Sequence, residues 1–435
     1  MYVKKFLKYS IPSSVSMFIS SLYTVIDGIF VGRGVGSLGL AAIAIVIPAT
    51  IFLLGLATMF AVGGGALVSK NFGSGNKENA VEVFRQAFKS IIMFSIGISF
   101  IFVIFAEPIV TLLGATENLR SMSAEFLRYY SLFCIPNLLG IVLNGFARND
   151  GRPRLAMVST IVGTLVNVLL DYIFIFILHM GVKGAAIATG LGQVATIVII
   201  LPHFLSIRTQ LTFGNVKLKM NVIKEIMSIG FPSFFAEIAF SIIIFFYNLE
   251  LGINMGESGI AAYSIINYIT TNIYLMLLGV GLGAQPLISY YFGAKEMKRM
   301  LKIYKFSLIT STVVSLVFVL ACFMFGSKFI GLFTGDAQLI NITYNGLNIT
   351  SLAYIIIGLN LSTSMYYQSI EMPKFSNLIC SFRSFIFLPI VLFLFAHFYG
   401  INGIWAGMIF SEILSFIAIN IFANIKTNTK KAISV

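Results

Sequence analysis

Residues 69–77 read SKNFGSGNK, and residues 289–297 read SYYFGAKEM. Phe72–Gly73 and Phe292–Gly293 hold the same place in the two stretches, at an offset of 220 in numbering. The register extends outward. Pro12 in YSIPSS answers Pro232 in IGFPSF, and Pro153–Arg154 answers Pro373–Lys374, both at 220. GVKGAAIATG (181–190) answers GINGIWAGMI (400–409) at 219. One such match carries little weight. Four in near-constant register describe a chain made of two similar halves.

The chain's composition says where those halves sit. Of 435 residues, 58% are hydrophobic and 10% are charged. A soluble domain carries roughly 25% charged residues, so this surface is too poor in charge for water. Phe is abundant and Trp almost absent, 42 against 1. Phe suits lipid-facing and core positions because it has no polar group to satisfy. A membrane span needs about 20 mostly apolar residues. The first half offers six, at 10–32, 38–69, 88–107, 124–147, 155–178 and 182–206. The second half offers six more, at 224–250, 259–291, 303–325, 345–369, 375–397 and 402–425.

The net charge of +13 is explained by topology and not by nucleic acid. With the N-terminus inside, the inside segments hold 24 Lys and Arg and the outside segments 5. That asymmetry is the positive-inside pattern. It supports an even number of spans, with Arg148 and Arg208 among the inside loop charges and Lys426, Lys430 and Lys431 in an inside tail. The apolar stretch after Lys4, Lys5 and Lys8 is long, holds Pro12 and lacks a small-residue cleavage site, so it reads as a retained first helix and not a signal peptide. Six helices per half make the halves parallel repeats. The expected architecture is therefore an all-α polytopic membrane protein. Its twelve transmembrane helices form two pseudo-symmetric six-helix lobes, 1–206 and 224–435, around a central cleft. A cytoplasmic linker, 207–223, joins them.

Cys134, Cys322 and Cys380 are isolated, as are His179, His203 and His397. Nothing has disulfide-framework or zinc spacing, and no cofactor is implied. GGG at 63–65 follows no strand and is no nucleotide loop, and no Walker sequence is present, so no ATP drive is evident. The triplet permits close helix approach instead. Pro12, Pro48, Pro136, Pro232 and Pro286 fall inside apolar runs and mark bends.

A carboxylate inside a span costs roughly 2.5–3.5 kcal/mol on insertion scales, which makes each a functional candidate. Asp27, Asp171, Glu237 and Glu412 lie in spans, and Glu250 at a helix end reads as interfacial. Counted from the inner ends at 1.5 Å per residue, Asp27 and Asp171 stand about 25 Å and 24 Å up their helices. Asn167 is four residues before Asp171 on the same face. Thr189 lies about 10 Å below the outer surface on a descending helix, in the same layer. If the helices pack together, two carboxylates, an amide oxygen and a hydroxyl converge. Such an all-oxygen set accepts a hard cation such as Na⁺. It also accepts protons, because two nearby carboxylates in low dielectric resist joint ionisation. The bland alternative is interhelical hydrogen bonding. Glu237, five residues after Pro232 and about 17 Å up, is a candidate for substrate or cation in the second lobe. Glu412 reads as structural.

These residues resemble the multidrug and toxic compound extrusion (MATE) family, close to its bacterial multidrug-efflux branch. The resemblance rests on VIDGIFVGRGVG (25–36), SKNFGSGN (69–76) and its echo, GRPRLAMVSTIVGTLVNVLLDY (151–172) and GVKGAAIATGLGQ (181–193). It covers essentially the whole chain. It implies two six-helix bundles around a V-shaped cleft, and efflux of organic cations and drugs against inward Na⁺ or H⁺. It carries the cation site onto Asp27, Asn167, Asp171 and Thr189, and a second-lobe glutamate onto Glu237. The tenth span has no carboxylate, which places the coupling site in the first lobe.

The expectation is a secondary antiporter, not an enzyme, in the bacterial cytoplasmic membrane with both termini cytoplasmic. Its partners would be lipophilic cationic small molecules and membrane lipid, with no nucleic acid and no obligate protein partner. The rival is a lipid or polysaccharide flippase of the related superfamily, which should line its cleft with Arg or Lys.

Overall fold

The computed structural model describes residues 2–207 and 209–433, with side chains as far as Ala423. Arg208 and the side chains of Lys426, Lys430 and Lys431 lie outside the described residues. What is described is mainly helical, without strands. The first half comprises α1 (Tyr2–Gly34), α2 (Ser37–Gly73), α3 (Lys77–Ile104), α4 (Ala106–Leu112), α5 (Glu117–Leu132), α6 (Cys134–Asn149), α7 (Pro153–Asp171) and α8 (Gly181–Leu205). The second comprises α9 (Met220–Met255), α10 (Glu257–Gly293), α11 (Met297–Ile330), α12 (Ala337–Ser351), α13 (Ala353–Ser369), α14 (Pro373–Ser381) and α15 (Phe387–Ile433).

Among the described residues, nine helical stretches are long and apolar enough to cross a membrane. Two further spans are bent pairs, α5 with α6 at 53° and α12 with α13 at 43°. The last stretch, Pro373–Ala423, is 51 residues long. At 1.5 Å per residue that is about 75 Å, over twice the roughly 30 Å hydrocarbon core. It breaks at Gly400, where φ is 59° and ψ −142°, and so supplies two spans. The total is twelve, in two pseudo-symmetric lobes around a cleft.

The breaks have local causes. A proline ring clashes with the carbonyl four residues back. Pro136 therefore strikes Leu132, where α5 stops. The matching break at Leu352 has no proline at the corresponding position, so the bend belongs to the fold and not to one residue. Each half also carries one π-helical turn, Tyr172–Ile177 after α7 and Phe382–Ile386 after α14. The repeat shows in the backbone as well. Gly75 and Gly151 have φ of 81°, and their repeat partners Lys295 and Glu371 have φ of 58°. Left-handed backbone costs a non-glycine residue, so the fold imposes those turns on the second half.

The lobes cross-pack, with α1 along α10 and α2 along α9. Small residues allow it. A Cβ on Gly63 would lie 2.1 Å from the Ile226 carbonyl oxygen, and one on Gly230 would lie 1.9 Å from that of Met59. The other seam repeats the device: a Cβ on Gly279 or Gly283 would lie 2.5 Å from Cα of Ser14 or Ser10. Further along, Ser21 Oγ donates to Asn272 Oδ1 at 2.5 Å.

The stretch between α8 and α9 is fastened to the first half. Arg85 Nε donates to the Thr212 carbonyl at 2.9 Å and Lys89 Nζ to that of Val216 at 2.9 Å. Gln86 is fully buried. It donates to the Lys217 carbonyl at 2.8 Å and accepts from the Lys219 N–H at 3.0 Å. Phe213 packs on Phe84 and Phe88.

Candidate functional site

Asp27 rides on α1, Asn167 and Asp171 on α7, and Thr189 on α8. The three helices touch one another. The α7–α8 contact is close because two glycines meet. A Cβ on Gly192 would lie 2.8 Å from Cβ of Asn167 and 2.8 Å from the Gly163 carbonyl oxygen. Gly163 and Gly192 thus bring α8 onto the Asn167 face. Asp27, Asn167 and Asp171 are brought together, and Thr189 lines the same cavity as Asn167. Asp171 faces both Asp27 and Asn167 closely enough to interact with each.

Burial makes this arrangement unusual. Asp171 is wholly buried and Asn167 nearly so. Yet both Asp171 oxygens, Asp27 Oδ1 and both amide atoms of Asn167 complete no well-formed hydrogen bond. Buried polar groups are ordinarily paired, since an unpaired one costs about 1–3 kcal/mol. Thr189 Oγ1 donates to the Ala185 carbonyl at 3.0 Å, which leaves its lone pairs free. Carboxylate, amide and hydroxyl oxygens are hard donors that fit Na⁺ as cargo. Two facing carboxylates fit a proton equally well.

A cavity of about 110 Å³ opens beside them, lined by Tyr23, Asn144, Arg148, Asn167, Thr189 and Gln193 among others. Helical spacing points to some of these: Tyr23 is four residues before Asp27, and Gln193 four after Thr189. Arg148 is a correction. Counted by sequence among the inside loop charges, it is instead buried in the last turn of α6 and faces the cavity. Its Nη1 donates to Asn144 Oδ1, and it forms no ion pair among the described residues. Its neighbours Arg152 and Arg154 resemble it in sequence, so nothing local distinguished it.

Glu237 on α9 is apart from this group, half-buried, and makes no hydrogen bond or ion pair among the described residues. Glu412 is buried and paired. Its Oε1 lies 2.5 Å from Arg383 Nη2, and its Oε2 accepts from Asn360 Nδ2 at 2.6 Å.

The MatE family model matches residues 12–173 and 232–395, one match per half. The chain belongs to the MatE family. It is 26% identical over 420 residues to Multidrug export protein MepA of Staphylococcus aureus (strain MSSA476), covering 95% of this chain and 92% of the relative. It is 26% identical over 419 residues to MepA of Staphylococcus saprophyticus, with the same coverage of 95% and 92%. Its fold matches a solved structure described as the outward-facing conformation of a multidrug resistance MATE family transporter. The TM-score is 0.93 at 23% identity, covering 99% of this chain and 96% of that one. A structure of MATE in the bent conformation gives 0.89 at 23% identity, covering 100% and 97%.

Proposed function

We propose that this MatE-family chain is a secondary antiporter that exports lipophilic organic cations or drugs in exchange for inward Na⁺ or H⁺. Family membership and the multidrug-export relatives support transport of small molecules. The observation that supports the coupling is the group of buried oxygens on Asp27, Asn167 and Asp171 that face one another without completing a well-formed hydrogen bond, beside a cavity that Asn167 and Thr189 line. A proton or cation shared among these oxygens would complete the set. Filling it draws α1 toward α7, and draining it leaves two carboxylates facing each other. The two states of the first lobe thus have different preferred packings.

In this reading the lobes span 1–206 and 224–435, with 207–223 between them. They rock about the glycine-lined seams, with the cleft facing each side in turn. The coupling ion and the substrate favour opposite arrangements, and linkage makes the two compete. The chain would sit in the bacterial cytoplasmic membrane with both termini inside, where the negative interior accumulates lipophilic cations. Glu237, in the second lobe, is a further carboxylate available to the cationic group of a substrate. The flippase reading gains one observation, the Arg148 guanidinium on the cavity wall. It is a single basic group on a wall otherwise lined by neutral side chains, where an anion cleft should carry several.

The test is dye retention in cells expressing wild-type, Asp27→Asn and Asp171→Asn protein at matched membrane levels. Ethidium is expected to be expelled by wild type and retained by both variants. Equal expulsion by all three would refute the coupling role.

A further inference from the structure

The two lobes are related by the sequence repeat, yet the first holds a cavity of about 110 Å³ and the second one of about 10 Å³. The two cavities occupy equivalent places. Thr160 and Thr164 line the first; their repeat partners at 220, Cys380 and Ser384, line the second. What differs is what stands inside. Gly140 and Gly163 line the first cavity, and their partners at 220 are Asn360 and Arg383. Gln193 also lines it, and its partner at 219 is Glu412. Two glycines and a neutral amide in one lobe are thus an amide, a guanidinium and a carboxylate in the other.

These three second-lobe residues are all buried. Arg383 Nη2 meets Glu412 Oε1 at 2.5 Å, and Asn360 Nδ2 holds Glu412 Oε2 at 2.6 Å. The guanidinium carbon stands 5.8 Å from the centroid of the Tyr274 ring. Asn360 Oδ1 is buried and unpartnered. A carboxylate, a free amide oxygen and an aromatic face are the parts of a site for a planar monovalent cation. The cation present is the protein's own.

We propose that the second lobe contains a latent organic-cation site whose permanent occupant is the Arg383 side chain. Arg383 fills the volume that the first lobe leaves open, neutralises Glu412, and keeps external cations out. Only the first lobe then exchanges its cation with solvent, although both lobes descend from one repeat.

Removing the plug should unmask the site. Arg383→Gly restores the residue found at Gly163 and leaves Glu412 with an unfilled cage. The probe is methylguanidinium, which reproduces the lost head group. The measurement is the thermal unfolding midpoint of the purified full chain, with tetramethylammonium at equal ionic strength as control. Arg383→Gly is expected to melt lower than wild type and to recover saturably with methylguanidinium. Wild type, and the charge-balanced double variant Arg383→Gly/Glu412→Gln, should not respond. No recovery in Arg383→Gly, or an equal response in the double variant, overturns the proposal. So does failure to recover Arg383→Gly even with methylguanidinium present throughout growth and extraction, if the double variant folds. The readout is stability and not transport, so its outcome is independent of the antiport reading.

Discussion

Gly73 and Gly293, equivalent positions of the two halves, press on each other's helix in mirror fashion. A Cβ on Gly73 would lie 1.9 Å from the Tyr290 carbonyl oxygen, and one on Gly293 would lie 1.9 Å from that of Lys70. Lys70 and Tyr290 are themselves repeat partners. The motif that reveals the repeat in sequence is therefore the point where α2 and α10 cross on the pseudo-twofold axis. The obstructing atoms are backbone, so no side chain can rotate away.

Gly73→Ala and Gly293→Ala are each expected to destabilise the packing of α2 on α10 by about 1–3 kcal/mol, the usual cost of overfilling a packed contact. Spin labels on the two lobes near this end should report a longer mean distance in either variant. Unchanged distance and stability would show that the crossing tolerates a methyl group.

Lys70 also reaches across the lobes to Glu371, Nζ to Oε1 at 2.6 Å. The counterpart positions in the other seam are Tyr290 and Gly151, so this ion pair is not duplicated. Glu371→Gly suits the left-handed backbone there and removes the carboxylate with the rest of the side chain. Because the pair is partly exposed, the expected effect is at most about 1 kcal/mol, a few-fold shift toward separated lobes in the same distance measurement. High salt should mimic it in wild type and do nothing to the variant.

Gln86 ties α3 to the segment before α9 through two backbone bonds. Gln86→Leu keeps the volume and strands a carbonyl and an N–H. A loss of about 1–3 kcal/mol in unfolding stability is expected, with faster proteolysis between α8 and α9. Wild-type protease resistance would mean that the segment is held by Phe213 packing instead.

Much of this was legible in the sequence because the bilayer imposes lengths. Spans of fixed rise gave the twelve helices, and the same rise put Asp27, Asn167, Asp171 and Thr189 in one layer, where the structure joins the first three and sets Thr189 on the cavity that Asn167 lines. Pairing across distance was not legible. Arg383 and Glu412 stand on different spans, and only packing shows that they neutralise each other. Arg148 looked like a loop charge because burial of a guanidinium at a helix end leaves no sequence pattern. The bend before α13 was equally silent, lacking the proline that marks the bend before α6.

The most direct measurement is ethidium efflux from proteoliposomes under a Na⁺ gradient alone and then a pH gradient alone, with Asp27→Asn and Asp171→Asn reconstituted alongside. Efflux driven by one of the gradients, and lost in each variant because an ion-binding carboxylate inside the membrane is gone, is the expected result. Efflux in the variants equal to wild type, or no efflux under either gradient from folded protein, would contradict coupling through this carboxylate pair.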